Sequence, residues 1–191
     1  MYPEGMGADV PGGHGIGDGG ADEPLTEEER LALLAFSCAE RGDTAELHRL
    51  SDECDVDLGM VDEAGCSLAH EAAAEGQACI LQLLAKTTGD VLQRVRATLR
   101  AQEAQLGWTP FHAAASQGHA ECITTLTQII DVWNIGDRDG GTPLHVAAMS
   151  GHVEVVNALL ATVSSGPMWA PVVIRDNSDL TALQSAIIEG R

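Results

Sequence analysis

Aromatic side chains are scarce in this chain of 191 residues, which holds three Trp, two Phe and one Tyr. A deep globular core is filled to crystal-like density by large side chains. The shortage therefore points to thin layers of small aliphatic residues. Long apolar runs are also missing, and nothing approaches the roughly 18 residues that a membrane-spanning helix needs. No spanning segment is therefore expected, and a membrane is not expected as a partner. No charged segment followed by an apolar run opens the sequence, so no secretory signal is expected. Tyr2, not glycine, follows Met1, which excludes the myristoylation motif. Cysteines are few: Cys38, Cys54, Cys66, Cys79 and Cys122. They are odd in number and widely spaced, without a CxxC pair, which argues against a disulfide framework or a zinc site. A reducing compartment, the cytoplasm or nucleus, is expected. Cys79 and Cys122 read as buried small hydrophobes. Basic residues number 10 against 29 acidic ones, a net charge of -19. Such a charge disfavours nucleic acid and anionic membrane surfaces. It leaves a basic protein partner, or solubility alone, as its use. Of the acidic residues, 17 lie before residue 66.

What is present falls into two regions. Residues 1–24 contain eight glycines and three prolines with almost no bulky apolar side chain. Such an acidic, Gly-rich tail cannot bury enough surface to offset its ordering entropy and is expected to be disordered. It includes a formal GxGxxG at residues 15–20, but no strand precedes it and no βαβ unit follows, so no dinucleotide site is assigned. The folded region, 25–191, opens with Thr26-Glu27-Glu28-Glu29, a capping box. Leu31, Leu34 and Cys38 follow at helical spacing. Asp43-Thr44-Ala45-Glu46 then opens a second helix.

A repeat dominates this region. Residues 107–119 read GWTPFHAAASQGH, and 33 residues later, residues 140–152 read GGTPLHVAAMSGH. A weaker copy, GCSLAHEAAAEG, occupies residues 65–76, and TALQSAIIEG at residues 181–190 is weaker still. The period and the TPLH-like core resemble ankyrin repeats, which pair a β-turn with two helices per unit. The resemblance covers roughly residues 28–191. It implies an all-α solenoid of helix-turn-helix units joined by short β-turn hairpins, with units at about 28–61, 62–103, 104–136, 137–175 and a partial one at 176–191.

Each motif residue has a physical task. Thr109 and Thr142 are placed to cap the first helix of their units, their hydroxyls accepting otherwise unpaired amides. Pro110 and Pro143 fall at the first helical position, where a missing N–H costs nothing. Ala113-Ala114 and Ala147-Ala148 let helices approach closely. Gly118 and Gly151 fall just past the helix end, where a left-handed conformation is needed. His70, His112 and His145 invite a metal or catalytic reading. The resemblance implies instead that each imidazole hydrogen-bonds between neighbouring units.

Two departures from the period stand out. Gly65 to Gly107 is 42 residues, and Gly140 to Asp179 is 39. Per-repeat insertions map to loops on one face. The first lies within residues 86–105 and carries Lys86, Arg94, Arg96 and Arg100. Val91, Leu92, Val95 and Leu99 recur at helical spacing, so either the preceding helix is extended or a short one follows it. Its arginines either neutralise the acidic first unit or form a basic docking strip. The second, residues 164–171, is a loop presenting Met168 and Trp169.

No enzyme signature accompanies the repeat. His70-Glu71 begins an HExxH pattern, but Ala74 stands where the second zinc ligand belongs. No GxSxG, P-loop or paired Cys/His motif occurs, so no catalytic residue, metal or cofactor is assigned. The resemblance implies a protein-interaction scaffold, monomeric by itself, that binds a protein partner through its hairpin tips and inner helices. The alternative is a regulatory or targeting domain of an enzyme whose catalytic part lies outside these residues. Carried over by position, the resemblance implies partner-facing residues Glu63, Ala64, Cys66, Ala74 and Glu75, then Gln105, Leu106, Trp108, Ser116 and Gln117, then Arg138, Asp139, Met149 and Ser150. Leu106, Trp108 and Met149 form the expected apolar centre, unless the insertion covers Trp108. Asn134 resembles the hairpin asparagines that an asparaginyl hydroxylase modifies in such repeats, with Leu126 eight residues upstream where leucine is favoured.

Overall fold

The computed structural model describes residues 25–130, 134–162 and 171–191. Among the described residues, ten α-helices follow one another: α1 Glu27–Arg41, α2 Thr44–Glu53, α3 Leu68–Ala74, α4 Ala78–Lys86, α5 Gly89–Thr98, α6 Pro110–Gln117, α7 Ala120–Ile129, α8 Pro143–Ser150, α9 Val153–Ala161 and α10 Ala182–Ile188. A 3-10 turn, Pro171–Val173, precedes the last helix. Two parallel rows result. The inner row packs α1 on α3, α3 on α6, α6 on α8 and α8 on α10; the outer row runs α2, α4, α7 and α9. This is the all-α solenoid that the repeat implies. Among the described residues, extended pairing is limited to the isolated antiparallel bridges Val61–Ser67 and Arg175–Thr181. No helix among them is long and apolar enough to cross a membrane. The tail 1–24, with its GxGxxG, lies outside the described residues, as do Met168 and Trp169.

The start signals operate as read. The Thr26 amide and hydroxyl donate to the Glu29 carboxylate at 2.7 and 2.9 Å, and the Glu29 amide donates back at 3.2 Å. Asp43 caps α2 through a 3.0 Å bond from the Glu46 amide. After the longer α1, the inner helices α3, α6, α8 and α10 have seven or eight residues each, and every inner helix turns at a left-handed glycine. Gly118 shows both reasons for glycine there. Its φ is +83°, and an added Cβ would lie 2.7 Å from Nδ1 of His152 in the next helix pair.

Small residues hold the inner row together. Ala72, Ala73, Ala114, Ala115 and Ala147 are fully buried, and their size lets helix backbones approach. The outer row supplies the larger aliphatics Ile80, Leu81, Leu84, Ile123, Leu126, Val155 and Leu159, all buried. Among the described residues, Phe36 and Phe111 are the buried large rings, Phe111 the deeper at 1% exposure. Six aromatic residues suffice because each layer is only two helices thick.

The insertion resolves into a separate helix. Thr87 ends α4 in an extended conformation, and α5 then packs against α4 through buried Val95 and Leu99. Arg94 of α5 lies 3.4 Å from the Asp57 carboxylate, in the loop after α2, and so forms one ion pair with the acidic first unit. Among the cysteines, Cys122 is buried as expected, but Cys79 is exposed. Ile80, Leu81 and Leu84 occupy the packed face of α4, which turns Cys79 outward, its thiol 3.6 Å from the Gly42 carbonyl.

Candidate protein-interaction surface

Two sets of hydrogen bonds fix the surface that the hairpins and inner helices present. The first is a histidine relay. The Thr109 amide and hydroxyl both donate to Nδ1 of His112, at 3.1 and 2.9 Å. That nitrogen is therefore unprotonated, and Nε2 carries the proton it donates to the Gly141 carbonyl of the next unit at 3.0 Å. His70 repeats this between Ser67 and the Trp108 carbonyl, and His145 between Thr142 and the Leu180 carbonyl. The inter-unit bonding that the resemblance implies is thus present. The Thr109 and Thr142 hydroxyls face the amides of His112 and His145 in capping boxes, as the sequence implies, and in addition donate to the imidazoles. Burial, outweighing the bond to the next carbonyl, pushes His70 and His112 down to about 4. Both ring nitrogens are committed to these bonds, which leaves the histidines no lone pair for a metal or a substrate proton.

The sequence reading missed a second histidine series. His119 Nε2 reaches back to the Ala74 carbonyl at 3.1 Å, and His152 Nε2 to the Ser116 carbonyl at 3.0 Å. Gln77 does the same to Glu40 at 3.1 Å. The signal was visible: each follows the glycine that ends an inner helix.

The second set zips the hairpin tips. The amides of Ala104, Arg138 and Asn177 donate to the carbonyls of Ala64, Leu106 and Asp139, at 2.7, 3.1 and 2.8 Å. Within each hairpin a carboxylate holds the turn. Asp137 accepts the amides of Asp139 and Gly141, and Asp176 those of Ser178 and Leu180. Asp62 accepts from Cys66. The second hairpin in chain order holds one residue more, and there a longer acid, Glu103, accepts from Gln105, Leu106 and Trp108. Burial opposes ionisation of Glu103, but its four amide neighbours outweigh it and lower its pKa. Asp137 is raised, because its burial wins. Asp179 takes the left-handed turn position with φ +62°, where the other hairpins carry glycine.

The proposed partner-facing residues fall into two groups. Glu63, Ala64, Cys66, Gln105, Leu106, Trp108, Arg138 and Asp139 gather at the zipped tips. Glu63, Gln105, Leu106, Arg138 and Asp139 are exposed, and Ala64, Cys66 and Trp108 half-buried. Ala74, Glu75, Ser116, Gln117, Met149 and Ser150 lie at the opposite, C-terminal end of the inner helices. Met149 therefore does not join Leu106 and Trp108: it is six residues along α8 from Pro143, about 9 Å at helical rise. The Trp108 ring lies along the His112 imidazole, centroids 6.4 Å apart and planes 15° apart, and is held there by the relay below it. Leu106, beside it, is 46% exposed. Arg138 is partly occupied by the scaffold, since its guanidinium donates to the Ala104 carbonyl and its own carbonyl accepts from Asn177 Nδ2. Burial, together with Asp62, Glu103 and Glu71, pushes the Cys66 thiol up to about 12, so it stays protonated. Asn134 is exposed and lies outside any helix. No group of three or more His, Cys, Asp or Glu side chains suited to a metal occurs among the described residues.

A protein-family model described as "Ankyrin repeats" matches the chain three times, over residues 34–134, 70–167 and 126–191.

Proposed function

From the premise that this chain belongs to the ankyrin-repeat family, whose members are generally protein–protein interaction modules, we propose that it binds a protein partner through its hairpin tips and the adjoining inner-helix ends. The observation that carries this reading is the zipped row of tips. Backbone bonds between successive hairpins fix the tip backbones, so Leu106, Trp108, Glu63 and Asp139 project from a frame that is set before any partner arrives. Pre-organisation of this kind lowers the entropy cost of binding. A half-buried Trp beside an exposed Leu, ringed by polar residues, has the composition of an interface hot spot. Glu63 and Asp139 add acidic character to the rim, and the net charge of -19 favours a basic partner. The module acts as a monomer in the cytoplasm or nucleus and catalyses nothing itself.

Trp108→Ala is expected to weaken partner binding by about 2 kcal/mol, roughly thirtyfold, while circular dichroism stays unchanged. Gln128→Ala, on the exposed side of the outer helix α7, should bind as wild type. Quantitative capture from lysate with the three proteins, followed by titration of the recovered partner, measures this. Equal affinity of the folded Trp108→Ala variant would remove the assignment.

We also propose Asn134 as a hydroxylation site for an asparaginyl hydroxylase. Its exposure and irregular backbone, with Leu126 upstream, support this. Incubation with the hydroxylase, iron and 2-oxoglutarate should add one oxygen to the peptide containing Asn134, read by mass spectrometry. Absence of that addition on folded and unfolded protein alike would rule it out.

A further inference from the structure

The inserted helix α5 and the turn after it carry more positive charge than their neighbours take up. Among the described residues, Arg94 pairs with Asp57, while Arg96 and Arg100, one turn apart, form no ion pair. Arg100 is exposed. Arg96 is half-buried, and its Nε is shielded from water without an acceptor among the described residues. A cation drawn partly out of water is screened less than a free one, and a buried donor without a partner is costly. Lys86, the only lysine in the chain, is exposed at the end of α4 just before the insertion.

Packing fixes where this strip sits. The helices α1 and α2 turn back on each other at Gly42, φ +75°, so the start of α1 and the loop after α2 lie at the same end of the first helix pair. Helix α5 lies against that loop: a Cβ on Gly59 would come 2.7 Å from the Arg94 Cβ. Residues 1–24 therefore join the fold at the end where the strip lies. Their sequence holds Glu4, Asp9, Asp18, Asp22 and Glu23 and no lysine or arginine. A glycine-rich chain of this length reaches roughly 25–30 Å, and the strip is about two helix diameters, roughly 20 Å, from the start of α1.

We propose that the acidic segment 1–24 docks on this strip of its own chain, its carboxylates pairing with Arg96 and Arg100. Charge complementarity selects an anion for the strip. The net charge of -19 turns away a separate acidic protein, whereas a tethered segment is present at an effective concentration on the order of millimolar. Exposed ion pairs are individually weak, so several carboxylates share the strip and the contact is sensitive to salt. It occupies the arginines left over once Arg94 has paired with Asp57. It does not depend on the role of the hairpin tips.

Zero-length coupling on the full chain tests this. In a variant with Lys86→Arg and Arg100→Lys, the strip keeps its charge and carries the only lysine amine. Carbodiimide is expected to join that amine to a carboxylate of residues 1–24 within the monomer. Mass spectrometry after trypsin reads the link as the peptide ending at Arg30 joined to the one containing position 100. Adding Arg96→Gln, or about 0.5 M salt, should each lower the yield about fivefold or more while circular dichroism stays unchanged. Absence of the link overturns the proposal. So does a yield that either change leaves as it was, since proximity on the tether alone would give that result. A link found only between two chains also overturns it, because the occupant would then be the segment of a second copy. No partner protein enters the measurement, so its failure leaves the hairpin-tip reading untouched.

Discussion

Unfolding should become several kcal/mol easier as the pH falls from about 6.5 to about 4. His70 and His112 are neutral and buried in the fold, with pKa about 4 against the ordinary 6.5. Between those values the unfolded chain binds more protons than the folded one, so stability falls with pH in that window. It is complete above 6.5 and the loss is finished below 4. Each imidazole contributes about 3 kcal/mol at most, an order-of-magnitude figure from 1.36 kcal/mol per pKa unit. Asp137, raised by burial, works in the opposite direction, and Glu103, lowered by its amides, adds to the acid loss. Against a total stability of about 5–15 kcal/mol, the combined effect is large enough to unfold the central units under mild acid. Urea midpoints at pH 7, 5.5 and 4.5 measure it. A midpoint that stays constant over that range would contradict the neutral, doubly bonded state assigned to these imidazoles.

Ala114→Asp should be comparably severe. Ala114 is fully buried on α6, which packs against both α3 and α8. A carboxylate there has no cation within the layer. It must either stay charged without a partner or take up a proton, and it also overfills a space made for a methyl group. The expected cost is about 3–5 kcal/mol. Units contact only their neighbours, so the damage should spread outward from α6 along the stack instead of collapsing the whole chain at once. Amide exchange on the variant should show loss of protection first in α3, α6 and α8. Wild-type protection throughout would contradict the packing described.

The fold was legible because each repeat carries its own punctuation. Thr-Pro at residues 109–110 and 142–143, and Gly118 and Gly151, fix helix starts and stops by local sterics alone. The histidines were legible as stitches, but not the further bond that each threonine hydroxyl donates to its own unit's imidazole, which depends on which imidazole nitrogen holds the proton. That choice is set by a carbonyl on the next unit. Cys79 illustrates the limit of spacing arguments. A position near a turn reads as apolar, yet the turn's exact phase decides which side of α4 faces the core. The insertion helix was foreseen as one of two possibilities, since Val95 and Leu99 mark a helical period but not the break at Thr87. The candidate interface was legible as positions, not as a surface. Leu106 and Trp108 meet at a hairpin tip, while Met149 belongs to the other end of the inner row, and only the three-dimensional stack separates them. The tip ladder that organises the surface leaves little side-chain signature, because it is built mostly from backbone groups.

The claim that the zipped tips and inner-helix ends form the recognition face is tested most directly by amide exchange on the complex with the captured partner. The expected result is added protection at residues 61–67, 103–109 and 137–141 and at the C-terminal ends of α6 and α8, with α4, α7 and α9 unchanged. Added protection confined to the outer helices, with the tips exchanging as in the free protein, would contradict it.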